Sequence, residues 1–178
     1  GDNRPRLYWS MVAAQALGGI PVPLYQDSVA EEMVYVLENA DVKYAIVQNQ
    51  EQTDKLLEIK DRLPNLKHIC YEEPRGMRDY TQDFIHYYKD IQGQGSVFNR
   101  ENPDFYLHEI EQGQGSDIAI FLYTSGTTGK PKGVVLTQEN LLITSLNSLA
   151  FDNITGEEEV LAYLPMAWVG DNIFSLAQ

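Results

Sequence analysis

Cysteine is almost missing from this chain. Cys70, in the apolar run HICY, is the single one among 178 residues, so no intrachain disulfide can form. A lone thiol in an apolar run reads as a buried strand residue, and the near-absence of cysteine fits a reducing compartment. Histidine is scarce too: His68, His86 and His108 lie apart without ligand spacing, so no zinc site is expected. Positive charge is the next shortage. Thirteen Lys and Arg face 26 Asp and Glu, a formal net charge of −13. That balance disfavours a general nucleic-acid binder and a basic membrane-surface patch. An anionic ligand must therefore be met by a local cluster of positive groups. No hydrophobic run approaches a membrane span, and no basic-then-apolar signal pattern opens the chain, so a cytosolic location is expected. Without such a signal, the sequon NIT at 153–155 is read as chance.

What is present is ordinary for a globular protein: 43% hydrophobic and 22% charged residues, in a length that can bury a core without staples. The start at Gly1, without Met, and the apolar ending NIFSLAQ suggest a piece of something longer.

Residues 1–71 alternate helix and strand signals. Leu7, Met11, Ala14 and Leu17 recur at helical spacing, and Gly18-Gly19 supply a stop. IPVPLY at 20–25 reads as a short edge strand. In SVAEEMVYVLENA, Ser28 and Glu31 match a capping box, and Val29, Met33, Val36, Leu37 and Ala40 share a face. KYAIV at 43–47 and HICY at 68–71 are strands. Between them a helix over 51–63 carries a Glu58–Arg62 pair, with Pro64 beyond its end. This alternation predicts an α/β fold, a largely parallel sheet flanked by helices.

Residues 72–116 read as a variable polar connector, with QGQGS at 92–96 and again at 112–116. Helices are expected near 79–91 and 102–111, with Pro103 in the first turn of the latter. From 117 to 178 order returns. IAIFLY at 118–123 is a continuous apolar strand of the kind buried in a parallel sheet, and VVL at 134–136 is another. Thr137 caps a helix to about Ala150, with Glu139 favourable for its dipole. VLAYLP at 160–165 is a further strand, and MAWVGDN turns into a last helix.

The stretch that concentrates charge and hydroxyls is YTSGTTGKPKGVVLT, 123–137. Gly126, Gly129 and Gly133 permit backbone approaches that a Cβ would block. Consecutive N–H groups in such a loop can form an anion nest. The hydroxyls of Thr124, Ser125, Thr127 and Thr128 add donors, or a ligand for a metal ion carried on phosphates, and Lys130 and Lys132 bring charge. Together they suit a polyphosphate. A plain glycine-rich hairpin would need neither the hydroxyls nor the lysines. The Walker pattern is not met: only two residues separate Gly126 from Gly129, and Pro131 follows Lys130.

YTSGTTGKPKG resembles the phosphate-binding signature of the adenylate-forming enzymes, the superfamily of acyl-CoA synthetases, peptide-synthetase adenylation domains and luciferases. LAYLPMAWVGD at 161–171 resembles the next motif of that family, which lines the acyl pocket, and the segments 1–25 and 28–47 resemble its N-terminal region. Similarity is closest to bacterial long-chain fatty acid–CoA ligases and weakest through 72–116. The resemblance implies part of the large N-terminal domain of such an enzyme, without its C-terminal domain. It also implies ATP-dependent activation of a long-chain fatty acid through an acyl-adenylate to acyl-CoA, with ATP, Mg²⁺ and coenzyme A taking part. Thr124, Ser125, Gly126, Thr127, Thr128 and Gly129 would wrap the β- and γ-phosphates, Lys130 and Lys132 would supply charge, and Lys132 would be catalytic. Trp168 and Gly170 would face the acyl chain.

Two positions depart from the pattern. Trp168 and Gln138 stand where many relatives carry histidine. Trp168 suits either plain packing or an apolar wall against an aliphatic chain. By the resemblance, the adenine and ribose motifs, the metal-binding glutamate, the hinge and the C-terminal lysine lie beyond these residues. The segment alone is therefore expected to be inactive. The partners implied are small molecules, the rest of the protein's own chain, and for a lipid enzyme a peripheral membrane contact; nucleic acid is not among them. Two other readings remain: activation of another carboxylate (short-chain, aryl or amino acid), and a non-catalytic nucleotide- or acyl-binding protein.

Overall fold

The computed structural model describes residues 1–124 and 130–178. Its first element, helix α1 (Pro5–Ala16), buries Leu7 and Met11. It ends where Gly18 turns to φ +70. The Gly18 N–H then reaches the Gln15 carbonyl at 3.1 Å and the Gly19 N–H the Ala14 carbonyl at 2.7 Å. That pair of bonds is the Schellman arrangement, which only a residue tolerant of positive φ completes without strain.

Helix α2 (Ala30–Asn39), strand β1 (Tyr44–Val47), helix α3 (Gln50–Glu58) and strand β2 (His68–Tyr71) follow, with a 3₁₀ turn at Lys60–Arg62 before β2. Strand β3 (Ile85–Tyr87) completes a parallel sheet in the order β1-β2-β3. Ala30, Met33, Val34 and Leu37 of α2 repeat at the spacing of one helical face. They close a core with Leu56 of α3, Ile59, Leu63, Leu66 and Ile69 of β2. The expected α/β class with a parallel sheet is found.

Beyond the sheet lie helices α4 (Tyr88–Glu101) and α5 (Phe105–Gln112), neither with a buried residue. Strand β4 (Ile118–Thr124) and strand β5 (Lys132–Thr137) pair antiparallel. Helix α6 (Gln138–Asp152) follows, and later one turn, α7 (Val169–Asp171), which runs into a π-helical turn at Asn172–Ala177. Ala119, Ile120 and Leu122 of β4 form a second core with Leu7 and Met11 of α1, Leu141 of α6 and Met166. No helix among the described residues is long and apolar enough to cross a membrane.

Several local expectations are corrected. Residues 20–25 form no strand. Pro21 and Pro23 have no N–H to give a ladder, and the segment's link to β4 is the Phe121 N–H donating to the Pro21 carbonyl at 3.0 Å. The cap of α2 lies one residue beyond Ser28: the Val29 N–H donates to Glu32 Oε2 at 3.3 Å. Glu31 is thereby free to pair with Arg62. The 3₁₀ turn after α3 takes Arg62 off the row it would share with Glu58, so that expected pair gives way to this one.

The first QGQGS, read as a connector, lies inside α4, while Ile85–Tyr87, read as helix, is the edge strand. Pro103 precedes the N-cap Asp104 of α5 and so stands outside its first turn. The strand 118–123 is paired antiparallel with the strand that follows it, not placed in the parallel sheet. Residues 160–165 form no strand; the Ala162 and Leu164 carbonyls accept from the Asn3 side chain instead.

Candidate functional site

The phosphate-loop candidate hangs from the β4–β5 hairpin. Alternating burial along β4 puts Ile120 and Leu122 in the core and carries Thr124 out to solvent at the strand end. In the antiparallel register Thr124 stands opposite Lys132, and Tyr123 opposite Gly133. The two ends of the loop are thus held side by side, with Thr124 and Lys132 as direct cross-strand neighbours. Ser125, Gly126, Thr127, Thr128 and Gly129 lie outside the described residues.

Helix α2 braces the base of this loop. The Tyr123 hydroxyl donates to Asn39 Oδ1 at 2.6 Å. Burial, then the neighbouring Tyr35, raises the phenol's pKa, so it stays a neutral donor. Lys130 Nζ lies 5.4 Å from the Tyr35 ring centroid, a cation–π distance. Gly133 makes room for the brace, because a Cβ there would come within 3.3 Å of the Tyr123 ring. Lys130 and Lys132 are both exposed, and neither forms a salt bridge among the described residues, which leaves their charge available to an anion.

At the far end of β5, Thr137 caps α6. Its Oγ1 accepts from the Asn140 N–H at 3.2 Å, and Asn140 Oδ1 accepts from the Thr137 N–H at 3.0 Å. The cap anchors the strand that carries Lys132, and Gln138 becomes the first helical residue.

Trp168 belongs to a different wall. Its N–H reaches the Pro165 carbonyl at 2.8 Å, which makes 165–168 a tight turn, and its ring is half exposed. The turn borders a groove of about 510 Å³ lined by apolar residues such as Leu24, Met166 and Trp168 and by the polar Asp2, Gln26 and Asp27. A hydrogen bond from Gln48 comes first in holding the Asp2 carboxyl below its ordinary range. No lysine or arginine lines the groove. The lining is thus mixed: an apolar side at Leu24, Met166 and Trp168 could take an uncharged chain, while the Gly1 amino group, Asp2, Asn3, Gln26 and Asp27 make the rest polar. Gly170 packs against this turn from within: a Cβ there would lie 2.9 Å from Leu164 Cδ1.

Thr124 and Lys132 are therefore brought together, with Lys130 braced near them; Trp168 and Gly170 sit in a separate turn, with no hydrogen bond joining the two groups among the described residues. Sequence reasoning missed Tyr35 and Asn39, the braces of the loop, and Asp171 and Asn172, both fully buried behind Trp168. Two polar residues in succession within an apolar run, VGDNIF, were the available signal for the latter. The histidines, too, are less scattered than expected: His68 Nδ1 and His86 Nε2 lie 2.8 Å apart across β2 and β3. No group of three or more His, Cys, Asp or Glu able to hold a metal occurs among the described residues. Burial pushes the Cys70 thiol up to about 11, which makes it a poor nucleophile.

Residues 1–177 match the family described as AMP-binding enzyme. The chain is 31% identical over 186 residues to the long-chain-fatty-acid–CoA ligase ACSBG2 of Xenopus laevis, covering 99% of this chain and 24% of that protein. It is 31% identical over 185 residues to ACSBG1 of Rattus norvegicus, another long-chain-fatty-acid–CoA ligase, with 99% and 24% covered. The chain thus spans about a quarter of the length of the curated relatives it matches. Among solved structures, acetoacetyl-CoA synthetase from Streptomyces lividans superposes with a TM-score of 0.70 at 18% identity, over 96% of this chain and 26% of that one. ATP-bound MatB from Rhodopseudomonas palustris gives 0.66 at 19% identity, over 99% and 32%.

Proposed function

Because the chain belongs to the AMP-binding enzyme family, we propose that its hairpin and its groove are two parts of one carboxylate-activating site. In this reading the full-length parent activates a long-chain fatty acid. The carboxylate oxygen forms a bond to the α-phosphorus of ATP while the bond to pyrophosphate breaks, giving acyl-adenylate. The thiol of coenzyme A then takes the acyl group, forming the thioester and releasing AMP.

The leaving pyrophosphate gains negative charge as its bond breaks, and donors fixed beforehand stabilise that charge without reorganising. Lys132, set against Thr124 by the strand register, and Lys130 supply positive charge at the loop base. Ser125, Gly126, Thr127, Thr128 and Gly129 complete the cradle. Mg²⁺, when bound with ATP, would neutralise phosphate charge, and the Thr124 hydroxyl is a loop group that would be able to ligate it. Trp168, with Gly170 shaping its turn, forms the apolar wall for the acyl chain.

The observation that carries the reading is the strand register that sets Lys132 against Thr124 at the base of the loop; for the substrate class, the apolar side of the groove at Leu24, Met166 and Trp168 is the supporting feature. The long-chain ligase relatives support it.

The test is carboxylate-dependent ATP–pyrophosphate exchange by the full-length parent, across acetate, palmitate, oleate, aryl acids and amino acids. Exchange peaking with long chains is expected. A peak with another acid overturns the substrate and keeps the chemistry. No exchange with any acid, in a folded parent that binds ATP, leaves a nucleotide-binding protein.

A further inference from the structure

Behind the Trp168 turn lies a polar cluster that the activation chemistry does not use. Asp171 and Asn172 are both 0% exposed. Asp171 takes part in no salt bridge among the described residues. The neutral donors that reach it come from the other end of the chain. The Tyr8 hydroxyl lies 3.0 and 2.9 Å from the two carboxylate oxygens, and Asn3 Nδ2 lies 3.2 Å from Oδ1. Burial first, then the bond to Asp171, raises the Tyr8 phenol, so it stays a donor throughout the range where proteins work.

The same Asn3 amide also donates to the Leu164 carbonyl at 2.8 Å and reaches the Ala162 carbonyl at 3.2 Å. From the other side, Asn172 Nδ2 spends its two protons on the carbonyls of Met166, at 2.9 Å, and Trp168, at 2.8 Å. Turning that amide over would set Oδ1 against two carbonyls, so its orientation is determined. The backbone of the turn is thus gripped at residues 162, 164, 166 and 168 by side chains that do not border the Trp168 ring's face of the groove, apart from Asn3 at its edge.

We propose that Asn3, Tyr8, Asp171 and Asn172 form a positioning clasp that fixes the Trp168 turn against α1 and so sets the KM for the carboxylate substrate. The inference rests on the reading of Trp168 as the acyl wall. A buried carboxylate costs stability unless its hydrogen bonds are complete. Each donor removed therefore leaves Asp171 short of a partner, and the turn relaxes toward solvent, taking the wall with it. ATP, held at the hairpin, is indifferent to this change.

The test uses the full-length parent and two variants that each remove one donor from Asp171, Tyr8→Phe and Asn3→Ala. Tyr8→Phe keeps the ring's packing; Asn3→Ala acts at the half-buried end, so it serves if the first fails to fold. The KM of the preferred carboxylate is expected to rise about three- to tenfold in each, the scale of one hydrogen bond. The KM of ATP should stay within about twofold. Amide hydrogens of 162–172 should exchange faster by mass spectrometry, a readout independent of turnover. A merely structural role would lower melting temperature and active fraction while leaving the carboxylate KM alone; that result in an active enzyme overturns the clasp. If the wild-type parent exchanges pyrophosphate with no carboxylate at all, the functional reading falls first and the clasp falls with it, so the two failures are told apart by the wild type.

Discussion

In the three-stranded parallel sheet, Ile69 is fully buried among residues of α2, α3 and the turn before β2. In the β4–β5 hairpin only one strand has that fate: β4 alternates into the second core, while β5 shows Lys132, Val134 and Val135 to solvent. The first region buries its central strand, although β1 shows Tyr44 and Ile46 to solvent, and it carries none of the candidate phosphate residues. The second carries those residues on a ladder that is half open. Burial and chemistry have been given to different strands, which is what a site needs if charged groups are to stay wet enough to meet an anion and still be held in place. The braces from α2, Asn39 and Tyr35, are where the two regions meet.

That division can be attacked from both sides. The largest effect on stability is expected from the closed region: Ile69→Ala should lower the unfolding free energy by about 2–5 kcal/mol in urea titrations, the cost of lost burial plus a residual cavity. A loss below about 1 kcal/mol would mean the sheet is no better packed than the hairpin. Next comes Lys132→Ala in the full-length parent. Adenylation should fall by about one to three orders of magnitude, while the urea midpoint moves by no more than about 0.5 kcal/mol equivalent, as for other exposed positions. Retained turnover would mean the lysine's role is misassigned. The smallest effect belongs to Thr137→Ala, which removes the hydroxyl from the α6 cap. A loss of about 0.5–2 kcal/mol is expected by thermal unfolding, together with a modest fall in exchange rate, because the same residue ends the strand that bears Lys132. If stability falls and exchange does not, the cap supports the helix alone.

Much of the fold was legible where local rules decide it. The 3.6-residue pattern of α2, the glycine stop of α1 and the threonine cap of α6 are written in neighbouring residues, and each sits close to where it was expected. Strand β3 was not legible, because Ile85, His86 and Tyr87 become a strand only by pairing with β2. The apolar runs at 20–25 and 160–165 misled in the opposite way. They are apolar enough for strands, but prolines and the claims of Asn3 on two carbonyls leave them without a ladder. The helix through Gly93 and Gly95 contradicts propensity, and nothing in its contacts explains it. At the site, the loop's composition pointed to phosphate without any structure. Its braces did not, since Tyr123 and Asn39 are 84 residues apart.

Distance along the chain has one more consequence. A ribosome adding about 5–20 residues per second needs roughly 8–34 s to travel the 168 residues between Asn3 and Asp171. The β4–β5 hairpin, a local structure, closes within about 1–10 μs of its second strand being free. Helix α1 is therefore made long before its carboxylate partner exists, and Tyr8 must wait through the synthesis of most of these 178 residues. The Trp168 turn can therefore be clasped only after nearly all of these 178 residues have been made.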